Sequence, residues 1–114
     1  MQRGEIWLIN LSPTLGAEMQ KIRPAVIVND DEIGILPLKV IVPVTDWKDR
    51  YAQAPWMVRV EPTPANGLIK NSAADAFQVR SLSQERFVRR LGSLHPNLMA
   101  QLGNALRVVL KLGT

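Results

Sequence analysis

The 114-residue chain has no cysteine and only one histidine. The absence of cysteine excludes disulfides and cysteine-ligated zinc, and it fits a reducing compartment. A single histidine excludes most familiar catalytic designs, which leaves arginine and threonine among the few groups able to do chemistry. No apolar stretch is long enough to span a membrane, and the N-terminus carries no recognisable secretory signal. We therefore expect a cytoplasmic protein that has no membrane partner.

Aromatic residues are also scarce, since the chain has three Trp, one Tyr and two Phe. The core must therefore be mainly aliphatic, and a hydrophobic content of 46% is ample for one. The length predicts a single domain over residues 1–114. The net charge of +4 suits a nucleic-acid surface, although many proteins that bind no nucleic acid are equally basic.

The apolar residues predict strands first and a helix last. Five short apolar segments, separated by turn residues, are typical of a compact β-sheet or barrel; they are residues 6–10, 25–28, 38–45, 56–60 and 72–79. Asn66-Gly67 is a strong turn signal. Apolar spacings of three and four predict an amphipathic helix that opens near Pro96, and a shorter helical segment is predicted over 84–90. The order favours an α+β fold, a small β-barrel with one packed C-terminal helix.

Two of the apolar runs have a polar residue at one end. Arg23 is the last charged residue before residues 24–28, none of which has a polar side chain, and the run 40–44 stops at Thr45. Runs this apolar are expected to be buried on both faces. A polar group at the end of such a strand can face a cleft without being fully immersed in bulk water. If the protein is an enzyme, Arg23 and Thr45 are therefore candidates for its chemistry.

Short motifs that occur in order along the chain resemble the MazF/PemK family of toxin endoribonucleases. They are Arg3-Gly4-Glu5-Ile6-Trp7, Gly16-x-Glu18, Arg23-Pro24-Ala25-Val26, Pro43-Val44-Thr45 and Gln78-Val79-Arg80. Each motif is weak alone, but the ordered set with the terminal helix covers nearly the whole chain. The resemblance implies an SH3-like β-barrel, a homodimer, and cleavage of single-stranded RNA (mRNA) at short sequences without a metal or cofactor. It also implies a cognate antitoxin protein that blocks the site.

The resemblance assigns acid–base and phosphate roles to Arg23 and transition-state stabilisation to Thr45. An arginine guanidinium stays protonated near neutral pH and is a poor base, but it grips a phosphate well with two parallel hydrogen bonds. We therefore predict that Arg23 mainly stabilises charge and could also donate a proton, and that Thr45 adds a hydroxyl hydrogen bond. The nucleophile would be the RNA 2′-hydroxyl itself.

Further residues are predicted to bind the RNA substrate. The set combines loop residues before the Arg-Pro strand, a loop that mixes aromatic and basic residues, and the Gln-x-Arg motif; it consists of Glu18, Gln20, Lys21, Trp47, Lys48, Asp75, Gln78 and Arg80. Aromatic rings beside basic groups suit stacked, unpaired bases. Lys70 is another basic residue predicted to lie in or beside a loop.

Structural interpretations compete with several of these roles. Arg23 could simply pair with Glu18, Trp47 could pack on the end of the barrel, and Asp75 could be a structural carboxylate. His95, next to Pro96, is expected to cap the helix or face solvent. The acidic run 30–32 lacks the ligand spacing of a metal site and is interpreted as a solvated turn.

Two departures from the family pattern leave other functions open. Ala17 and Glu18 stand near the place where some members have a histidine. Phe77 replaces an acidic residue, with Asp75 one strand period earlier and therefore expected on the same side. One alternative is a non-catalytic toxin that binds a topoisomerase, and another is a barrel that binds nucleic acid or a partner without cleavage.

Overall fold

The computed structural model describes residues 1–11, 22–34 and 37–113. These ranges contain seven strands followed by one α-helix: β1 (Glu5–Asn10), β2 (Ile22–Ile27), β3 (Leu38–Asp46), β4 (Met57–Val60), β5 (Ser72–Asp75), β6 (Arg80–Ser83), β7 (Phe87–Ser93) and α1 (Pro96–Leu110). Three short 3₁₀ helices cover Asp49–Gln53, Ala76–Gln78 and Gln84–Arg86. The helix is too short to cross a membrane, and the described residues contain no other candidate.

The strands form one antiparallel sheet with the order β4-β5-β3-β2-β1-β7. The long strand β3 changes partner along its length, pairing with β6 over Leu38–Ile41 and with β5 over Val44–Asp46. Among the described residues no ladder joins β4 to β7, so the sheet is open. The prediction of a mostly β protein with one C-terminal helix is confirmed, whereas the predicted barrel closure is not.

The change of partner explains how a proline fits inside β3. Pro43 lies between the two pairings, where neither β5 nor β6 is in register with it. A proline lacks the N–H that a ladder needs. On the side of β3 that faces β5 and β6, no strand is paired with this position, so no N–H is required there. Pro43 still lies opposite Ala25 of β2.

Two predicted element boundaries are wrong. The strand predicted over 72–79 ends at Asp75, because the Asp75 carboxylate accepts the N–H of Phe77 at 3.0 Å and caps a 3₁₀ turn. The helical segment predicted over 84–90 is a 3₁₀ turn of three residues followed by β7, which pairs with β1. At the end of β5 a local side-chain contact outweighs the hydrophobic pattern along the chain, and at β7 pairing with a distant strand does so.

The core consists of two apolar layers on opposite faces of the sheet. One layer lies under α1, where Leu102 and Ala105 pack with Val26 and Val42. The other layer is smaller; it is formed by Ile9, Ala25, Ile27, Ile41 and Leu82 and is flanked by Trp7 and Phe87. Because successive strand residues point to opposite faces, the apolar run of β2 supplies both layers. The prediction that this run is buried on both faces is confirmed.

The predicted helix is confirmed, and both of its ends have a capping contact. The Nδ1 atom of His95 accepts the N–H of Asn97 at 3.1 Å, and Pro96 occupies the first turn. Lys111 adopts a left-handed conformation with φ 53° where the helix stops. The predicted capping role of His95 is therefore confirmed.

The loop between β4 and β5 is fixed by one buried side chain. Asn66 is only 3% exposed. Its Oδ1 accepts the N–H groups of Thr63 and Leu68 at 3.0 and 2.9 Å, and its Nδ2 donates to the carbonyl of Glu61 at 2.9 Å. Gly67 follows with φ 70°, which favours glycine. This loop leads directly to Lys70 at the edge of the site described next.

Candidate active site

Strands β2 and β3 separate at one end and leave a cleft of about 240 Å³. Their ladder stops at Ala25 and Pro43. Two residues beyond the ladder on each strand, Arg23 and Thr45 line the cleft together. The structure therefore brings the two predicted catalytic residues into one site, because they lie at the same end of neighbouring antiparallel strands.

The cleft also contains an ion pair that the sequence did not single out. Lys70 Nζ lies 2.9 Å from Asp46 Oδ1, and both residues line the cleft with Arg23. Both side chains are 61% exposed, so the pair contributes at most about 1 kcal/mol to stability. Two cations and one carboxylate give the described part of the cleft a net positive charge, which suits a phosphate.

Arg23 is half-buried and has no acidic partner among the described residues. The alternative partner Glu18 lies outside the described residues, as do the predicted RNA-binding residues Gln20 and Lys21. Arginine donors in a partly shielded cleft can form parallel hydrogen bonds to phosphate oxygens. Thr45 remains paired with Ala73 of β5, which fixes its backbone at the cleft.

Trp47 lies in a cluster of aromatic and basic side chains beyond the end of β3. Its ring meets Tyr51 edge to face at 5.9 Å, and the guanidinium of Arg59 lies 5.0 Å from the ring centre. Arg50 lies 5.5 Å from the centre of the Tyr51 ring. The half-buried Trp47 thus packs against protein groups, while Lys48 is exposed. Arg59 was not predicted, because only the tertiary structure places β4 beside this loop.

Asp75 is 8% exposed, and both of its carboxylate oxygens are used within the turn that follows β5. Oδ1 accepts a hydrogen bond from the N–H of Phe77 at 3.0 Å, and Oδ2 accepts one from Nε2 of Gln78 at 2.9 Å. The expectation that Asp75 and Phe77 share a strand face is wrong, because the strand ends at Asp75. Phe77 is 66% exposed and contacts Trp56 edge to face at 5.9 Å.

The remaining predicted RNA-binding residues lie outside the Arg23–Thr45 cleft. Gln78 ends the turn after β5, and Arg80 begins β6 opposite Ile41; both are exposed. Neither they nor Trp47, Lys48 and Asp75 line the cleft.

Asp46 was not predicted as a site residue, because in the sequence it is the first residue of a polar loop. Its position directly after Thr45 was a usable signal.

The region matched by one protein-family model, residues 2–110, includes every residue of the cleft. The model describes PemK-like, MazF-like toxins of type II toxin–antitoxin systems. The chain belongs to this family. The family predicted from the sequence motifs is therefore confirmed.

Two relatives of known name align along almost the entire chain. Endoribonuclease MazF9 of Mycobacterium tuberculosis is 35% identical over 119 residues, which cover 98% of each chain. Endoribonuclease MazF of Staphylococcus saprophyticus is 32% identical over 114 residues, which cover 100% of this chain and 94% of the relative. Both relatives are named as endoribonucleases, which supports the predicted enzyme class for this family member.

Solved structures share the fold of this family member. A MazE–MazF structure from Deinococcus radiodurans matches with a TM-score of 0.78 at 22% identity and covers 99% of this chain and 97% of its own. An endoribonuclease in complex with its cognate antitoxin from a Mycobacterial species matches with a TM-score of 0.76 at 21% identity, covering 100% and 98%. At these identities the likeness establishes the fold.

A larger groove of about 690 Å³ shares no residue with the cleft. It lies between the β4–β5 loop and the start of α1, and its lining includes Arg59, Glu61, Leu94 and His95. Size alone would favour this groove, and it too contains charged and hydroxyl groups, but the predicted catalytic residues Arg23 and Thr45 line the cleft instead. The cleft is therefore the candidate site for the predicted chemistry.

Proposed function

We propose that this chain is the toxin of a type II toxin–antitoxin pair and cleaves single-stranded RNA endonucleolytically, without a metal ion. The observation that carries the proposal is the cleft shared by Arg23 and Thr45 at the open end of β2 and β3. The names of two relatives at 35% and 32% identity support the same activity. A topoisomerase-binding toxin would not require these two residues side by side.

The cleft residues fit a transesterification in which the RNA supplies its own nucleophile. The 2′-oxygen attacks the neighbouring phosphorus while the bond to the 5′-oxygen breaks. Negative charge grows on the phosphate oxygens during this step, and the Arg23 guanidinium and the Thr45 hydroxyl donate hydrogen bonds to them. Donors positioned in advance lower such barriers by about 3 kcal/mol each. Lys70 adds a second positive charge at the rim.

The RNA-binding surface extends beyond the cleft in this proposal. Substrate contacts are proposed for the residues predicted from the sequence, namely Glu18, Gln20, Lys21, Trp47, Lys48, Gln78 and Arg80, while Asp75 would act indirectly by holding the side chain of Gln78. Gln78 and Arg80 lie past the end of β5, so they bind nucleotides at a distance from the cut bond. Short-sequence selectivity would arise from contacts of this kind, since the phosphate groups themselves carry no sequence information.

The proposed protein partners are a cognate antitoxin and a second copy of the chain. Two solved structures with the same fold are named as complexes with an antitoxin or with MazE. The net charge of +4 suits an acidic, disordered antitoxin segment that folds onto a basic groove. A homodimer would enlarge the surface available to a single RNA strand.

The test is incubation of the purified protein with a long single-stranded RNA in EDTA. We expect discrete cuts with 2′,3′-cyclic phosphate or 3′-phosphate ends. Arg23→Ala should lower the rate by at least about 100-fold, and Thr45→Val by about 10- to 100-fold. Arg89→Ala removes the same charge from an exposed position on β7 and should cleave at the wild-type rate.

Circular dichroism and thermal unfolding establish that each variant is folded. Undiminished cleavage by folded Arg23→Ala would remove Arg23 from the mechanism. No cleavage by the wild type would overturn the proposed function, and a gyrase-poisoning assay would then test the topoisomerase-binding alternative.

A further inference from the structure

The mechanism above leaves the acceptor of the 2′-hydroxyl proton unassigned. Arg23 and Lys70 are cations, and a threonine hydroxyl is not basic enough to remove this proton. Among the described residues that line the cleft, Asp46 has the only carboxylate. A general base must reach its proton directly or through one water molecule, so it must lie at this cleft.

Two other groups that could accept a proton are committed elsewhere. The carboxylate of Asp75 is buried and accepts hydrogen bonds through both oxygens. His95, the single histidine, lines the larger groove and uses Nδ1 to cap α1. Neither side chain lines the cleft.

The Asp46 carboxylate is held at the cleft but is not enclosed. As the last residue of β3 it follows Thr45 directly, and both residues line the cleft. The contact from Lys70 Nζ to Asp46 Oδ1 at 2.9 Å fixes one oxygen, while the side chain remains 61% exposed. The carboxylate is therefore oriented by a partner and accessible to a substrate.

We propose that Asp46 is the general base of the cleavage reaction and that Lys70 is the residue that positions it. The proposal rests on the proposed function. The 2′-hydroxyl proton moves to the Asp46 carboxylate as the 2′-oxygen forms its bond to phosphorus. The bond from phosphorus to the 5′-oxygen breaks, and the 5′-oxygen takes a proton from water. Asp46 then returns its proton to the resulting hydroxide, which leaves a 2′,3′-cyclic phosphate and a 5′-hydroxyl.

The experiment measures single-turnover cleavage of a short RNA that contains one cut site mapped on the long RNA. Asp46→Asn keeps the shape of the side chain but removes its basicity, and should slow cleavage by about 100- to 10,000-fold. Its affinity for the same RNA with a 2′-deoxy group at the cut site should stay within about threefold of wild type. Asp49→Asn, in the exposed 3₁₀ helix nearby, is the matched control and should cleave normally.

Three further variants separate a base from a structural residue. Formate, a small carboxylate, should restore part of the activity of Asp46→Ala, because it can occupy the vacated space and accept the proton. Lys70→Gln should lower the maximal rate by about tenfold with little change in RNA affinity, while Lys70→Arg should retain most of the activity.

Each outcome is decisive. Absence of cleavage by the wild type would overturn the proposed function and this inference with it. Cleavage by Asp46→Asn within about threefold of wild type would overturn only the general-base role. A loss of rate matched by an equal loss of RNA affinity would make Asp46 a binding residue and would likewise overturn that role.

Discussion

Three carboxylates show how neighbouring groups decide what one residue type does. Asp75 is buried, and its two oxygens hold the turn after β5. Asp46 is exposed at the cleft, where Lys70 holds one oxygen. Glu5 lies at the start of β1 and accepts Nε1 of Trp7 at 2.9 Å. Burial with full hydrogen bonding makes a carboxylate structural, whereas exposure beside the proposed substrate cleft leaves it available for chemistry.

Glu5 couples stability to pH. Burial alone would raise the pKa of Glu5, but hydrogen bonds from Trp7 and the Gln2 backbone, together with the charges of the N-terminus and Arg90, outweigh it and hold that pKa below 4.5. Because the folded pKa lies below the unfolded one, the stabilisation is present above pH 4.5 and is lost as the pH falls through the folded pKa.

We expect Glu5→Gln to lower the free energy of unfolding by about 1 kcal/mol at neutral pH. The difference from wild type should shrink below pH 4.5, as wild-type Glu5 becomes protonated. Urea titrations at neutral pH and below pH 4.5 measure this difference in the free energy of unfolding. Glu85→Gln, at an exposed position, is the control. A constant difference at both pH values would contradict the assignment.

At the level of elements, the β4–β5 loop packs directly on the backbone of β7. The N–H of Ser93 donates to the carbonyl of Ala65 at 2.9 Å. A Cβ on Gly92 would lie 2.2 Å from that carbonyl oxygen, and one on Gly67 would lie 2.2 Å from the carbonyl oxygen of Leu91. The two glycines thus permit the close approach that fixes the loop leading to Lys70.

Gly92→Ala should therefore destabilise the protein by at least about 2 kcal/mol, because backbone atoms cannot move aside cheaply. Gly103→Ala is the matched change in α1, where an added Cβ has no neighbour within 4 Å. It should stabilise the protein by about 0.5–1 kcal/mol through helix propensity. Thermal unfolding of both variants tests the pair, and a stabilising Gly92→Ala would refute the close packing.

At the scale of the whole molecule, the net charge of +4 should make RNA affinity depend on salt. Each phosphate contact releases counterions, so the contact proposed for Arg23 should contribute about −0.7 to the slope of log affinity against log salt with a single strand. Fluorescence anisotropy with the 2′-deoxy-substituted RNA measures it. Arg23→Ala should make the slope shallower by about 0.7, and a slope unchanged in that variant would exclude a phosphate contact by Arg23.

Much of the fold was predictable because its signals are local. The apolar run of β2, the helical spacing of α1 and the Asn66-Gly67 turn each depend on a few adjacent residues. The predictions failed where distant groups decide the outcome. The end of β5 depends on the contacts of the Asp75 side chain, and β7 forms because β1 offers it a partner.

The sequence by itself narrowed the candidates for chemistry, since it lacks cysteine and places Arg23 and Thr45 at the ends of apolar runs. Only the tertiary structure decided which of them meet. Antiparallel pairing of β2 and β3 carries Arg23 and Thr45 to one cleft, and the packed β4–β5 loop brings Lys70 to Asp46. The physical reason is that periodicity reports which face of a strand is buried, whereas the contacts of an exposed side chain depend on how distant segments pack.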